Sequence, residues 1–221
     1  MRIGLISDVH ANLVALEAVL DDMPAVDEIV CAGDVVGYNP WPAECVEKIR
    51  EVASVCVQGN HDRSVEDPLR YGGMAREGLR HARAELTDEQ IDWLMTQPRR
   101  AEFADGAYQV AHSHPDPDEM GTYVFPEDFT DMGPYVDGYD GLVLGHTHVQ
   151  HKAVIDDRLV VNPGSVGQPR DENPDAAYAI LNTETQTVDL HRVRYDIDRV
   201  ISKVESLDLP TKVGTRLLDG S

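Results

Sequence analysis

Seven residues of metal-ligand type recur along this chain in one fixed relation to its apolar runs. Asp8 and His10 follow the run 2–7 (RIGLIS), and Asp34 follows 28–32 (EIVCA). Asn60, with His61 and Asp62 behind it, follows 54–57 (SVCV). His112 closes the run 107–111, and His146 and His148 follow 142–144 (LVL). Carboxylate, amide and imidazole form a donor set that suits Mn, Fe, Ni or Zn better than a thiolate-seeking metal. Alternate spacing in Asp8-x-His10 and His146-x-His148 places both members of each pair on one side of extended backbone. Glycine before Asp34, Asn60 and His146 permits tight turns and close backbone approach. Singly, each motif is also an ordinary turn with a solvated side chain. Their joint occurrence, each directly after a strand-like run, points to one metal centre.

The elements that must position these residues follow from periodicity. Apolar runs at 2–7, 28–32 and 54–57 read as strands. Between them lie a helix capped by Asn12, with a stripe of Leu13, Leu16, Val19 and Leu20, and a helix from Pro42 to about Glu51. This β-α-β-α-β order predicts parallel strands with helical crossovers, hence an α/β fold. In such sheets ligands bind outside the carboxyl ends of the strands, where all seven residues would project. Helices are expected over 68–84 and from Thr87, which forms a capping box with Gln90. Further strands are expected at 107–111, 142–144, 150–155, 158–161, 177–181 and 187–194, and a short helix from about Asp198. Asp156-Asp157 reads as a hairpin turn. The Pro-, Asp- and Gly-rich stretch 115–140 reads as a surface loop or a lid. A single domain spanning 1–221 is the default for this length.

Lys and Arg total 19 against 40 Asp and Glu, a formal charge of −21. Such a surface repels nucleic-acid backbones and anionic membranes, and it stays soluble in concentrated salt, which fits a salt-loving host. Cys31, Cys45 and Cys56 lack metal-type spacing and read as reduced, mostly buried thiols. The N-terminal sequence lacks signal-peptide character and no run is long enough for a membrane span, so a cytoplasmic location is expected.

The motifs D-x-H, G-D, G-N-H-D, H and G-H-x-H, in this order from Ile3 to about Arg170, make the chain resemble the calcineurin-like metallophosphoesterases. Its compact size and the loop 162–167 (NPGSVG) are similar to the small stand-alone prokaryotic phosphodiesterases of that family. One departure is Ser113, where the family usually has glycine; His114 therefore competes with His112, which is favoured because it ends the strand. The resemblance implies a four-layer α-β-β-α sandwich with two mixed sheets. It also implies two divalent ions, manganese foremost with iron, nickel or zinc as alternatives. Asp34 would bridge them, with Asp8, His10 and His148 completing one site and Asn60, His112 and His146 the other. Two such ions against two ionised aspartates leave the centre locally positive within an acidic chain, so an anionic ester can bind.

The implied reaction is hydrolysis of phosphodiesters or phosphomonoesters of small molecules or nucleotides by in-line attack of a metal-bound hydroxide. His61 would protonate the leaving oxygen and Asp62 would orient its ring. From their positions in the chain, Arg170 reads as a contact to substrate phosphate or a surface salt bridge, Tyr38 as a pocket or a packing residue, and Asn39 as a pocket residue, the three making up the substrate-binding set. The alternative is a non-catalytic metal-binding scaffold, as in the retromer subunit of this fold, which lacks the catalytic histidine. A nucleic-acid enzyme is disfavoured by the short, acidic chain.

Overall fold

Short aliphatic and β-branched runs take the strand positions in the structure, a computed structural model that describes all 221 residues. β1 (Arg2–Ile6), β2 (Glu28–Cys31) and β3 (Val55–Cys56) run parallel; β4 (Arg100–Phe103) and β5 (Tyr108–Ala111) form an antiparallel pair. β6 (Gly141–Val143), β7 (His151–Ile155), β8 (Arg158–Asn162), β9 (Ala176–Asn182) and β10 (Thr187–Val193) complete two five-stranded mixed sheets. Their orders are β10-β9-β1-β2-β3 and β4-β5-β6-β8-β7. Each sheet has a parallel core of three strands: β1-β2-β3 in one, β5-β6-β8 in the other.

The two sheets stack face to face. Ile3, Leu5, Val30 and Val57 of one meet Tyr108, Val110, Val143 and Val161 of the other, all buried. Alternation along β1 turns Ile6 to the opposite face, where α1 (Leu13–Asp22), α2 (Pro42–Val52) and α5 (Asp88–Thr96) supply Leu16, Val46, Ile49 and Leu94. Each fully buried aliphatic side chain of this kind is worth roughly 1.5–3 kcal/mol. On the far side of the second sheet, Leu142 and Val160 are covered by Phe129, Met132 and Val136. The layering is thus α-β-β-α. The capping residues act as their types predict: the Asn12 side chain accepts from the Ala15 N–H, and Thr87 and Gln90 exchange reciprocal bonds.

Three expectations change. The stretch 68–84 is not one helix: a 3-10 turn (Pro68–Arg70) precedes α4 (Gly73–Glu85), and the break falls at Tyr71-Gly72, where glycine favours an irregular connection. β4 is an additional strand; its sequence, RAEF, buries only Phe103 fully, with Ala101 partly buried against the same core. The stretch 115–140 is more ordered than a plain loop. It holds two 3-10 segments (Pro117–Glu119, Pro126–Met132) and α6 (Gly133–Val136), and its second half is the outer layer over the second sheet. A short α3 (Asn60–Arg63) begins directly at the Gly-Asn-His-Asp motif. At the C-terminus α7 (Ile197–Ser206) and α8 (Lys212–Thr215) pack Val200, Val204 and Val213 against Val14 and Trp41. Cys31, Cys45 and Cys56 are buried free thiols, and no helix is long and apolar enough to cross a membrane.

Candidate metal centre

The loops after β1, β2, β3, β5 and β6 meet at one rim of the two sheets, and the backbone there is unusual. Asp8, His10, Asp34, His146 and His148 all have φ between 47° and 69°, a region that non-glycine residues rarely occupy. Such conformations cost of order 1–3 kcal/mol each and persist only where the surroundings enforce them. The surroundings are visible. The loop 162–167 clamps the β1 end: Ser165 Oγ donates to the Asp8 carbonyl (2.7 Å) and Gly167 N–H to the same oxygen (3.0 Å). Asn162 donates to the Gly145 carbonyl (2.8 Å), tying the β6 end into the same frame. At Gly59 the close approach is absolute, because a Cβ would lie 2.0 Å from Asp34 Oδ1.

Each histidine then has one ring nitrogen fixed and one free. His10 Nδ1 bonds the Val36 carbonyl (3.1 Å), His112 Nδ1 the Ala32 carbonyl (2.8 Å) and His148 Nδ1 the Gln168 carbonyl. His146 Nε2 bonds the Gly121 carbonyl (3.1 Å). In the neutral ring that metal ligation requires, a nitrogen that donates to a carbonyl leaves the other as a lone pair. Those lone pairs converge. His10 Nε2 and His148 Nε2 face each other at 3.1 Å, and Asp8 Oδ1, which has no hydrogen-bond donor, lies 3.2 Å from the latter. His112 Nε2 lies 3.0 Å from Asn60 Oδ1 and 3.3 Å from Asp34 Oδ2; the same Asp34 oxygen is 3.6 Å from His10 Nε2. Acceptors this close repel one another unless a cation sits between them. Three groups have ligand atoms within 4.8 Å of one another: Asp8–His10–His148, His10–Asp34–His61 and Asp34–His112–His146.

The electrostatics agree. Burial alone would raise Asp8 and Asp34, yet both carboxyls are held below their usual range, Asp8 mainly by His148 and Asp34 by His112 and His61. Burial opposes charge on His112, but Asp34 and Asp8 outweigh it and push its pKa up to about 10. The carboxylates therefore favour positive charge at this spot. Desolvation wins at His61 and His146, both brought down to about 4. The donor chemistry, the orphaned Asp8 oxygen and the opposed lone pairs fit a divalent-metal site.

His61 is buried beside this cluster, its ring 4.8 Å from that of His10, with its backbone N–H donating to Asp34 Oδ1 (2.8 Å). Its Nδ1 has no hydrogen-bond partner. The expectation that Asp62 orients His61 is corrected: both Asp62 oxygens accept backbone N–H groups, from Val36 (3.1 Å) and Gly59 (3.0 Å). Buried, and close to Asp34, Asp62 has its pKa raised to about 7. It ties the β2 loop to the start of α3 instead of touching the imidazole.

Asn39 is likewise corrected as a pocket residue. It is buried, and its amide donates to the carbonyls of His10 (3.0 Å) and Gly167 (3.3 Å). Tyr38 does reach the cluster, its ring 4.9 Å from His10 and 4.7 Å from His61, and Arg170 approaches its hydroxyl at 3.4 Å. His112, not His114, lies in the cluster; His114 faces Glu119 and Tyr135. Two aromatic residues were not foreseen. Tyr71 accepts the Asn60 amide (2.7 Å) and Tyr123 stacks on His146 at 4.1 Å. Both lie on connections with no motif around them, so no local signal marks them.

Fold and site together define a two-sheet α/β metallohydrolase. Residues 1–186 match the family described as the calcineurin-like phosphoesterase superfamily domain. The chain is 34% identical, over 99% of its length and 98% of the relative's, to an uncharacterized protein of Methanocaldococcus jannaschii. It is 27% identical to phosphodiesterase YfcE of Escherichia coli, over 85% of this chain and 91% of that one. Among solved structures, a metallophosphoesterase from Sphaerobacter thermophilus superposes with a TM-score of 0.86 at 34% identity, covering 100% of this chain and 99% of that one. The chain belongs to the calcineurin-like phosphoesterase superfamily and is a metal-dependent phosphoric ester hydrolase.

Proposed function

We propose that this protein hydrolyses phosphate esters of small molecules, diesters among them, at a centre of two divalent ions. The observation that carries the reading is the opposed pair of imidazole lone pairs, His10 Nε2 and His148 Nε2 at 3.1 Å, beside the unpartnered Asp8 Oδ1. Asp8, His10 and His148 would hold one ion, Asn60, His112 and His146 the other, and Asp34 would serve both. When bound, the ions supply Lewis acidity toward phosphoryl oxygens and lower the pKa of water toward neutrality. Manganese is the first choice by resemblance to the family, and the imidazole-rich donor set also suits iron, nickel or zinc.

The remaining work falls to the chain's own side chains. His61 lies against both carboxylate-bearing loops; burial favours its neutral ring, and negative charge building on the departing alkoxide oxygen would favour the protonated form that donates to it. Arg170 and Tyr38 flank the same corner and orient the anionic ester. A relative named phosphodiesterase YfcE supports diester cleavage over the scaffold alternative, as does the presence of His61. The test is a metal-reconstitution screen on p-nitrophenyl phosphate and bis(p-nitrophenyl) phosphate. Turnover of the diester with manganese is expected. Inactivity on both with every divalent metal would favour the scaffold.

A further inference from the structure

In a chain with 40 acidic and 19 basic residues, an arginine should readily find a carboxylate. Arg50, Arg70, Arg80 and Arg192 do, each within 4.0 Å of an Asp or Glu. Others do not, and three of these, Arg63 of α3 and Arg99 and Arg100 at the start of β4, sit together. Their side chains instead line a pocket of about 190 Å³ on the open side of the metal centre. Arg63 Nη1 and Arg99 Nη1 both point at a single atom, Met120 Sδ, at 3.1 and 2.9 Å. Arg100 Nη1 donates to the Pro115 carbonyl (3.1 Å). A thioether is a weak acceptor and offers little to two guanidinium groups. The one carboxylate on the pocket wall, Asp116, is occupied within its own loop: it accepts from the Asp118 N–H (2.9 Å) and the Tyr135 hydroxyl (3.3 Å). Three guanidinium groups thus share one pocket with a single carboxylate that pairs with none of them, which leaves the pocket with excess positive charge that an anion would balance.

Position and size say which anion. Asn60 and His112 line this pocket and also belong to the ligand cluster, so the two spaces are contiguous. A site that encloses a whole small ligand has ~300–1,000 Å³, so this smaller pocket suits one group of a substrate whose remainder lies over the ions. Planar guanidinium groups match phosphate oxygens in forked, charge-assisted pairs. We infer that the pocket of Arg63, Arg99 and Arg100 is a subsite for a second phosphate, and that preferred substrates carry two phosphate groups, one at the ions and one here. The second phosphate displaces the Met120 sulfur from the guanidinium groups. This rests on the phosphoesterase reading for what occupies the neighbouring centre.

Calorimetry on the manganese-loaded full chain tests it. The probes are alkanediol bisphosphates of increasing length, each compared with the alkyl monophosphate of the same length. The best bisphosphate is expected to bind about tenfold or more tighter than its monophosphate. In Arg63→Gln/Arg99→Gln that advantage should shrink to the roughly twofold statistical gain of having two ends. Met120→Ala leaves the guanidinium groups in place and should raise bisphosphate affinity severalfold, so it decides the matter if the double variant fails to fold. The subsite is overturned if no bisphosphate exceeds about twofold, if the preference survives the double substitution, or if Met120→Ala weakens bisphosphate binding. Aryl phosphate hydrolysis by the same preparation is scored separately. Its absence would remove the phosphoesterase reading while the binding ratio still judges the pocket.

Discussion

The two halves of the metal centre are built differently. Asp8, His10 and His148 are almost fully inaccessible, at 0%, 0% and 2% exposure, whereas His146 is at 7% and Asn60 is half-buried. In the deep half the partners are themselves fully buried: Ser7, Val36 and Gln168 hold Asp8, His10 and His148. In the open half two of the three are held by partly exposed residues, Asn60 by Tyr71 and His146 by Gly121. On the two-ion reading proposed above, the deep half would grip an ion and the open half would meet substrate. Asp34 joins them, and it also carries the N–H of His61.

The comparison can be broken most directly at that joint. Asp34→Ala should empty both halves of metal and lower kcat/KM by at least ~10³-fold, since removing a ligand shared by both ions removes their catalysis together. Elemental analysis and turnover on an aryl diester check it; full metal retention would falsify the shared role. His61→Ala should act on chemistry alone, with metal content kept and kcat down on the order of 10²–10⁴-fold.

The asymmetry between halves predicts unequal outcomes for its two paired histidines. His148→Ala, which leaves Asp8 Oδ1 and His10 Nε2 buried beside an empty position, should lower stability by about 1–3 kcal/mol and reduce the tightly held metal. His146→Ala should mainly weaken the exchangeable metal, read as a higher activation constant with little change in Tm. Equal effects of the two substitutions would erase the distinction between gripping and meeting. The smallest effect belongs to Tyr71→Phe. Loss of one hydrogen bond to Asn60, about 1 kcal/mol, should raise the open-half activation constant roughly fivefold and leave the deep half untouched.

Much of this protein was legible from its residues, and the reason is local. Strand-forming runs each end in a donor, so β1, β2, β3, β5 and β6 and the side chains after them could be placed by periodicity and by the rule that ligands gather at carboxyl ends of parallel strands. The capping pairs at Asn12 and Thr87–Gln90 were legible because their partners lie three residues away. β4 was not, because RAEF carries too little apolar pattern to mark a strand that exists only through pairing with β5.

The amino-acid sequence by itself determined the donor types, their order and the acidic surface around them. Tertiary structure decided which donors face one another, and why lies in long-range geometry. Asp62 is adjacent to His61 along the chain, yet its oxygens turn to Val36 and Gly59, because the β2 loop crosses the start of α3. Asn39 turns inward to His10 and Gly167 for the same kind of reason. Left-handed turns at Asp8, Asp34 and His148 aim side chains in directions that spacing alone does not encode, and a loop more than a hundred residues away holds the first of them. Arg63 and Arg99 meet at one sulfur only because α3, β4 and the segment after β5 converge there. Contacts between distant segments depend on how two sheets stack, and that is a property of the packed whole.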